Sequence, residues 1–453
     1  MAIKKMLRYG TIAEQKFVEA VRDRFDILLI NGNMLAFAAN AMARIVAENN
    51  GRIDYLVDPL THGFQHDLEL LKGTTGELKV SIRKMLDTYG DFIRKKILSG
   101  QVITPGDFDN HATEVKDFVR KVIGFQRDYV QETAEGKDYY KYLQYAGVPL
   151  KPVWLVIPYF CMNAKTYKNW LGINRQLIDI ARQEFPNKDL AAELVIEKDL
   201  LEDEEILIDK IADNYIKSGI TRVMLWIDNF SAFESSKKLL ENYVALIKKL
   251  TGERIEVYNL YGDYFSVLLC HPDLNGGLKG VCHGLGYGEE RAVIPVGGGI
   301  PINKYYYPPL HERLSFREVS MLLNLKGYID PGGSPGNPEK YYQEICNCPT
   351  CKEVIKNDMN NFFRFGEAKP VIIKGRYGDI IRQFPTQDAK SLCISHFLDA
   401  KLNEWEEISN IPLDKLLQQL QLIGSEYANV LGHNIKATFD LWVDIIQASR
   451  SNS

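Results

Sequence analysis

The sequence has no long apolar run. The stretch from Met34 to Val46 comes closest, but Asn40 and Arg44 interrupt it, so it predicts an amphipathic helix and not a membrane span. No apolar segment follows the first eight residues, and we therefore expect no signal peptide. These absences predict a cytoplasmic protein that does not associate with membranes.

Cysteine is also scarce. The chain has seven cysteines in 453 residues, and an odd number in so long a chain does not suit the disulfide framework of a secreted protein. Three of the seven lie within six residues of one another. This distribution indicates a metal site in a reducing compartment.

An excess of basic residues is absent as well. The chain has 55 basic and 59 acidic residues and a net charge of −4, whereas proteins that bind nucleic acids often carry a basic excess. Short basic stretches occur at residues 94–96, 120–121 and 374–376, but each is more typical of a solvated surface than of a phosphate-binding track. Composition therefore neither supports nor excludes a nucleic-acid substrate.

The clustered cysteines are Cys346, Cys348 and Cys351, in the pattern C-x-C-x-x-C. A tetrahedral zinc site needs a fourth ligand. His396 is the best candidate for it, and Cys393 is its rival. We therefore predict a structural zinc site of the Cys3His type, and the alternative is a redox pair or a set of unrelated buried thiols.

Eight short apolar runs alternate with segments of helical periodicity. The runs lie at residues 26–30, 53–57, 153–157, 192–196, 222–227, 255–260, 278–282 and 292–296. Such alternation predicts a parallel sheet, and eight repeats predict an α/β fold of the (β/α)8 TIM-barrel class. A doubly wound open sheet is the structural alternative.

The spacing of the runs also predicts the domain organisation. Residues 67–152, between the second and third runs, contain helical patterns, and we interpret them as a helical insertion after strand 2. A loop rich in glycine and proline at residues 330–338 leads into the cysteine cluster. We predict a TIM-barrel catalytic domain over residues 1–335 and a zinc-binding, helical C-terminal subdomain over residues 336–453.

Three residues at the ends of predicted strands are candidates for catalysis, because the reactive groups of TIM barrels lie at the carboxyl ends of the strands. Asp58 and Asp228 could act as nucleophile and general acid/base at a glycosidic carbon. His283 is the third candidate. Each also has a structural interpretation, since Asp58 can start a turn before proline, Asp228 can cap a helix, and a lone histidine is often structural.

The other strand ends supply candidates for substrate binding, since a substrate bound at the mouth of a barrel meets these positions. The candidates are Gly63, Phe64 and Gln65 after the second run, Tyr159 and Phe160 after the third, Glu197 after the fourth, and Tyr261 and Gly262 after the sixth.

A barrel followed by C-x-C-x-x-C and a later histidine resembles the tRNA-guanine transglycosylase superfamily. Residues 323–328 followed by Asp330 look like that family's approach to its zinc ligands. Residues 394–398 look like the zinc histidine at the start of its final helix, and Thr-His-Gly-Phe-Gln at residues 61–65 is similar to its Ser-Gly-Gly-Phe-Gln. The resemblance covers most of the barrel and the zinc region.

The sequence differs from the tRNA enzymes at several positions, and these differences indicate which branch of the superfamily it resembles. Leu60 stands where those enzymes carry an aspartate just before their Ser-Gly-Gly-Phe-Gln, and residues 282–284 lack the nucleophilic aspartate of their seventh strand. Pro158 and Tyr159 replace the aspartate that reads guanine. A chain that keeps the zinc ligands but diverges in this way looks like the DNA-guanine transglycosylases of bacteria and phages, which exchange guanine in DNA for a 7-deazaguanine.

This resemblance implies a pentosyltransferase that acts on a guanine flipped out of the duplex. One of Asp58 and Asp228 would attack the deoxyribose and the other would exchange protons with the bases, while Tyr159, Phe160 or Tyr261 would stack on the flipped base. The zinc would be structural. The implied partners are DNA or tRNA, a base such as 7-cyano-7-deazaguanine, DNA-opening helper proteins and a second copy of the chain in a homodimer.

Three other functions stay open at this point. The first is a tRNA-guanine transglycosylase of the queuosine or archaeosine type with an altered site. The second is a non-catalytic, transglycosylase-like partner subunit that binds nucleic acid, which the missing aspartate of the seventh strand favours. The third is an unrelated zinc-bearing barrel hydrolase.

Overall fold

The computed structural model describes residues 3–202, 205–286, 289–294, 302–330, 332–375, 378–428 and 434–451. The chain forms two compact units. The first comprises Met1–Gly262 and Leu274–Pro295, and the second comprises Asp263–Asp273 and Val296–Asn452.

Eight strands form one parallel sheet in the first unit. In chain order they are β1 (Lys4–Tyr9), β2 (Ile27–Asn31), β3 (Asp54–Asp58), β4 (Leu155–Val156), β5 (Leu190–Ile196), β6 (Arg222–Ile227), β7 (Glu256–Leu260) and β8 (Gly280–Gly284). Their order in the sheet is β3-β2-β1-β8-β7-β6-β5-β4. Between the two edges the Val153 amide donates a hydrogen bond to the Tyr55 carbonyl at 2.8 Å. The sheet is thus nearly closed into a barrel, as the alternation of strands and helices predicts.

The predicted strands need two corrections. The sequence pattern misses β1, because Lys4, Lys5 and Arg8 interrupt its apolar character. The predicted eighth strand at residues 292–296 is wrong over residues 292–294, which form no strand, and residues 295–296 lie outside the described part of the chain. Val293 instead packs into the core of the barrel. The barrel therefore begins one strand earlier than predicted, and the segment interpreted as an insertion follows the third strand.

Helices accompany the strands of the first unit. They are α1 (Gln15–Val21), α2 (Gly32–Phe37), α3 (Ala39–Glu48), α4 (Val80–Tyr89), α5 (Asp91–Leu98), α6 (Ala112–Ala134), α7 (Lys141–Tyr145), α8 (Tyr167–Glu184), α9 (Asp199–Glu202), α10 (Glu205–Lys217) and α11 (Lys237–Gly252). Helices α4 to α7 all lie between β3 and β4. Of these, α6 buries an apolar stripe that recurs every three or four residues and packs against α3 and α8. It therefore takes the place of an outer barrel helix.

The interior of the barrel is set by the alternation of side chains along each strand. Leu56 and Trp226 belong to the buried core. Asp58 lies two residues beyond Leu56 on β3, so it stands on the interior side at the carboxyl end of that strand. Asp228 directly follows the last residue of β6. Both acids therefore lie at the carboxyl ends of the strands.

The second unit is mostly helical. Its helices are α12 (Tyr264–Leu268), α13 (Phe316–Leu325), α14 (Pro338–Glu344), α15 (Pro349–Ile355), α16 (Gln387–Asn410), α17 (Leu413–Glu426) and α18 (Ile435–Ser451). Strands β9 (Lys304–Tyr307) and β10 (Glu312–Ser315) form one antiparallel pair, and β11 (Ala368–Gly375) and β12 (Gly378–Pro385) form another. Across the described residues of both units, no helix is both long enough and apolar enough to cross a bilayer.

Candidate active site and metal centre

Asp58 lies at the carboxyl end of β3 and has no exposed surface. Its Oδ1 accepts hydrogen bonds from the Tyr159 hydroxyl at 2.7 Å and from the Leu60 amide at 2.9 Å. Leu60 reaches this position with a left-handed backbone, at a φ of 51°. The Oδ2 atom has no hydrogen-bond partner among the described residues. An orphaned oxygen on a buried acid is costly, and such groups are concentrated at functional sites.

The pKa values of two buried acids are raised in the barrel. Burial raises the pKa of Asp58 to about 6, although the Tyr159 hydroxyl, the Leu60 amide and Arg8 act to lower it. Glu193, on β5, is buried, and neither of its carboxylate oxygens has a hydrogen-bond partner among the described residues. Burial, followed by the charge of Asp58, raises the pKa of Glu193 well above its ordinary value. Like charges in one apolar site disfavour each other, so an ionised Asp58 opposes the ionisation of Glu193.

A hydrogen-bonded chain leads from Asp58 to His62. The Tyr159 hydroxyl lies 3.1 Å from His62 Nδ1, and the two rings stack with centroids 5.3 Å apart. Burial, followed by the charge of His66, lowers the pKa of His62 to about 3, so its imidazole is neutral at physiological pH. The ring of Trp226 meets His62 edge-on at 5.1 Å. Asp58, Tyr159 and His62 therefore form a path along which a proton can move.

The turn at residues 61–65 is fixed to the segment that follows β4. The Thr61 hydroxyl donates to the Tyr159 carbonyl at 2.6 Å and accepts from the Tyr159 amide at 2.9 Å. Gln65 donates to the Cys161 carbonyl at 2.9 Å and accepts from the Cys161 amide at 2.7 Å. Within this turn, an added side chain at Gly63 would meet no atom within 4 Å. Thr61 and Gln65 thus position Tyr159 against Asp58.

Asp228 and Glu197 form a second pair of acids, at the ends of β6 and β5. Both are half-buried. The Val293 amide donates to Asp228 Oδ1 at 2.6 Å, and the Asn163 side chain donates to Glu197 Oε1 at 3.4 Å. Burial, together with smaller effects that include the charge of Asp228, raises the pKa of Glu197. This pair reaches solvent, in contrast to Asp58 and Glu193.

Aromatic and guanidinium groups cover the same end of the barrel. Tyr261 has a left-handed backbone, with φ 62°, and its ring lies 4.9 Å from that of Trp226. The Arg291 guanidinium lies 5.2 Å from the Tyr261 ring, and that of Arg8 lies 5.6 Å from it. The Tyr261 hydroxyl has no partner among the described residues. Gly262 follows and is buried. Tyr261 and Trp226 are buried within this cluster, whereas Arg291 is half-buried.

Three predicted site residues lie away from this cluster. Cys282 belongs to the barrel core, so the alternation of β8 turns its neighbour His283 to the outer side of the sheet. Phe160 stacks on Trp170 of α8 with centroids 4.7 Å apart. Phe64 packs edge-on against Tyr89 of α4 at 6.2 Å. The structure therefore brings Asp58, Tyr159 and Tyr261 together. His283, Phe160 and Phe64 instead face the helices that surround the barrel.

Sequence reasoning also missed several residues of the cluster: Arg8, His62, Glu193, Trp226 and Arg291. One of them carried a usable signal, since Glu193 is a charged residue inside the otherwise apolar run 192–196. A lone acid in a buried strand is rare unless it serves a function. The others became recognisable only once the fold had placed them at one end of the barrel.

The predicted metal ligands converge in the second unit. Cys346, Cys348, Cys351 and His396 are all buried, and their ligand atoms lie within 4.8 Å of one another. The sulfur atoms of Cys346, Cys348 and Cys351 lie 3.9, 3.4 and 3.4 Å from His396 Nδ1. Zinc bonds of usual length place sulfur and nitrogen about 3.6 Å apart at the corners of a tetrahedron. The four residues therefore fit a tetrahedral metal ion.

Neighbouring groups orient the four ligands. The Tyr306 carbonyl lies 2.7 Å from His396 Nε2, so that Nε2 carries the proton and Nδ1 is left to bind metal. The Tyr305 hydroxyl lies 3.2 Å from Cys351 Sγ. The rival ligand Cys393 instead points its thiol at the Phe365 carbonyl, 3.4 Å away. Of the two candidates for the fourth ligand, His396 therefore joins the three cysteines and Cys393 does not.

A buried ionic network adjoins the metal centre. Lys401 has no exposed surface, and its Nζ lies 2.9 Å from Glu404 Oε2 and 2.8 Å from the Tyr306 hydroxyl. His311 Nδ1 lies 2.7 Å from Glu404 Oε1. Burial opposes ionisation of Glu404, yet Lys401, His311 and Tyr306 hold its pKa at about 2. Of this network, His311 and Glu404 line a cleft of about 780 Å³ within the second unit.

Comparisons with known proteins provide little information about this site. No protein-family model matches the chain, and no curated protein matches it. Among solved structures, the chain is similar to the N-terminal endo-1,4-β-D-xylanase 10B of Clostridium thermocellum, a protein of CBM22-1 and GH10 modules complexed with xylohexaose, at 13% identity and a TM-score of 0.35. The similarity covers 62% of this chain and 58% of that chain. A likeness at this level carries no information about chemistry.

Proposed function

We propose that this protein is a DNA-guanine transglycosylase, which exchanges guanine in DNA for a 7-deazaguanine base through a covalent intermediate between an aspartate and deoxyribose. The observation that carries the proposal is the placement of Asp58 at the carboxyl end of β3 and of Asp228 directly after β6, at the same end of one parallel barrel. The Cys3His cluster supports it, because that cluster is the most specific part of the resemblance.

Asp228 is the nucleophile in this proposal. It is half-buried at the end of β6, so a substrate can reach it, and the Val293 amide holds its carboxylate in place. One carboxylate oxygen attacks C1′ of the deoxyribose, and the bond from C1′ to the guanine nitrogen breaks with its electron pair going to the base. Arg291, which is half-buried and lies 5.2 Å from the buried ring of Tyr261, stacks on the flipped base.

Asp58 is the general acid and base. With a pKa of about 6 it retains a proton in part of the population near neutral pH. Because it is buried, Asp58 passes its proton to the Tyr159 oxygen after the Tyr159 hydroxyl has turned from Asp58 to His62 Nδ1. The hydroxyl proton moves to Nδ1, and the other ring nitrogen of His62 leaves its backbone partner Val293 and gives its proton to the leaving guanine. The incoming 7-deazaguanine returns a proton along the same path and displaces Asp228 from C1′. Zinc held by the Cys3His cluster takes no part in these steps and stabilises the second unit.

The test is mass spectrometry of nucleosides from cells that express the protein and are supplied with a 7-deazaguanine. We expect the deazaguanine in DNA, and none in DNA from cells that express Asp228→Asn. Modified tRNA with unmodified DNA would assign the protein to the tRNA enzymes. Unmodified DNA and tRNA in cells whose protein is folded and zinc-loaded would favour the partner-subunit function.

Replacing Tyr159 by Phe should slow exchange by about 100-fold or more, because it interrupts the path from Asp58 to the base. The Tyr159 hydroxyl also lowers the pKa of Asp58, so its removal raises that pKa further above 6. The acid must be protonated to act on the leaving base. The alkaline limb of kcat/KM against pH, expected near 6 in the parent protein, should therefore move to higher pH in the variant.

Tyr55→Phe is the matched control for this measurement. It removes a buried hydroxyl that donates to the Leu150 carbonyl, on the barrel but outside the cluster. Its pH profile should be that of the parent protein. An alkaline limb that stays in place in Tyr159→Phe would contradict the role given to Asp58.

A further inference from the structure

Strands β11 (Ala368–Gly375) and β12 (Gly378–Pro385) form a two-stranded antiparallel ribbon, which we call the basic ribbon. Ile372 pairs with Ile381, and Ile373 pairs with Ile380. Directly paired residues share a face, so these pairs lie on opposite faces of the ribbon. Ile372, Ile381 and Ile380 are 63%, 66% and 48% exposed. Apolar side chains are therefore exposed on both faces.

An uncovered ribbon of this kind is unusual. Within the described part of the chain it pairs with no other strand. The side chains of β12 are exposed from Asp379 to Gln383, and on β11 Val371 and Ile373 are half-buried. A two-stranded ribbon alone is marginally stable in water, and exposed apolar strands invite unwanted pairing. Clustered exposed apolar groups mark sites of interaction. We therefore expect the ribbon to be covered by a partner.

The charge of the ribbon indicates which partner. Residues 368–385 contain four basic residues and one acidic residue, in a chain whose net charge is −4. Within the described residues, the basic side chains of Lys369, Lys374 and Arg382 form no ion pair. A second copy of the ribbon would bring like charges together, which is unfavourable. A polyanion is the complementary partner.

The foot of the ribbon is fixed to the second unit. The Thr386 amide donates to the Glu367 carbonyl at 2.9 Å, and the Thr386 hydroxyl donates to the Glu367 carboxylate at 3.1 Å. Thr386 also caps α16 by accepting from the Ala389 amide at 3.1 Å. The ribbon is thus an arm with a rigid base, which lowers the conformational entropy lost on binding.

We propose that the basic ribbon binds duplex DNA by lying in a groove, with Lys369, Lys374 and Arg382 on the phosphates and the isoleucines against the bases and sugars. The major groove, about 12 Å wide, admits a two-stranded ribbon, and apolar side chains there contact the methyl groups of thymine. The proposal rests on the proposed function, since it names the surface by which that enzyme would hold its DNA.

Two ribbon variants of the full chain test the proposal by fluorescence anisotropy with a labelled duplex over a range of salt concentrations. The charge variant carries Lys369→Gln, Lys374→Gln and Arg382→Gln. It should bind at least about 10-fold more weakly, with a salt slope smaller by about 2 to 3, since each lost phosphate contact removes about 0.9 from the slope. The apolar variant carries Ile372→Ser and Ile381→Ser. It should bind more weakly with the slope unchanged.

The matched control is a triple variant of exposed basic residues elsewhere, Lys238→Gln, Arg317→Gln and Lys415→Gln. It makes the same change in net charge and should bind as the parent protein does. Equal binding by the parent and both ribbon variants would overturn the inference. So would ribbon-dependent binding of tRNA in place of duplex DNA, or a dimer in ultracentrifugation that only the apolar variant disrupts.

Failure of this inference can be told apart from failure of the proposed function. Asp228→Asn should bind duplex DNA normally, because binding through the ribbon needs no chemistry. Ribbon-dependent binding without deazaguanine in DNA would leave the ribbon assignment standing and remove the enzyme function. Deazaguanine in DNA with binding unaffected by the ribbon variants would support the enzyme function and contradict the ribbon assignment.

Discussion

Replacing Asp58 by Asn is expected to abolish base exchange and to make the protein more stable. The pKa of Asp58 is raised from 3.8 to about 6 by burial, so the folded state loses stability as pH rises from about 4 through 6 and does not regain it above. That loss is on the order of 3 kcal/mol at neutral pH. Asn can still accept from Tyr159, and its unpaired amide costs about 1 kcal/mol or more, so a net gain of about 1 to 2 kcal/mol is expected.

Urea unfolding at pH 7 and at pH 4 measures the gain, which should disappear at the lower pH, where the Asp58 carboxyl is protonated in the folded protein. A loss of activity together with a gain of stability is typical of a residue kept for function. If Asp58 had only a structural role, the same gain in stability would appear without a loss of base exchange.

Asp228→Asn should also reduce exchange, by about 10³-fold or more, because it removes the nucleophile. Its effect on stability should be small, since Asp228 is half-buried. Asp213, an exposed carboxylate on α10, provides the control variant Asp213→Asn, which should be fully active. If both the Asp58 and the Asp228 variants keep full activity, the catalytic assignment is wrong.

Loss of the metal ion is expected to unfold the second unit. Binding to a structural site of this type contributes on the order of 10 kcal/mol, which is comparable with the whole stability of a typical domain. Cys351→Ser removes a ligand whose sulfur also meets the Tyr305 and Tyr341 hydroxyls. The variant should contain less than stoichiometric zinc and lose helical circular dichroism, and a strong chelator should have the same effect on the parent protein.

The control for the metal prediction is Cys393→Ser, which alters a buried cysteine on the same helix as His396 but outside the ligand set. It should retain one zinc ion per chain. A full complement of zinc in Cys351→Ser, with normal helicity, would show that the Cys3His cluster is not the metal site.

The sequence allowed much of the barrel to be predicted, because periodic apolar runs report directly on buried strands. The prediction failed in two places where apolar character does not report a strand. Strand β1 begins with two lysines, and Val293 is apolar because it packs into the core and not because it belongs to a strand. The metal ligands were predictable since three of them are neighbours in the chain. The contact between Asp58 and Tyr159 joins residues 101 apart, and no local pattern encodes such a pairing.

The burial of Asp58 also could not be predicted from the sequence. An aspartate before proline at a strand end is compatible with a solvated turn or with a buried acid, and only the packing of Tyr159 and His62 over it decides between them. The charge of Asp58 raises the pKa of Glu193 inside the barrel, and this interaction depends on the register of β5 against its neighbours. Such effects arise from tertiary structure alone.

Strand β9 carries three consecutive tyrosines, each with a different task. The Tyr305 hydroxyl meets Cys351 Sγ, that of Tyr306 donates to Glu404, and that of Tyr307 lies 2.9 Å from the Tyr427 hydroxyl. A substitution removes one of these contacts, whereas an insertion or deletion of one residue would turn all three hydroxyls to the wrong face together. In the divergence of related chains, this strand should therefore tolerate changes of residue far better than changes of length.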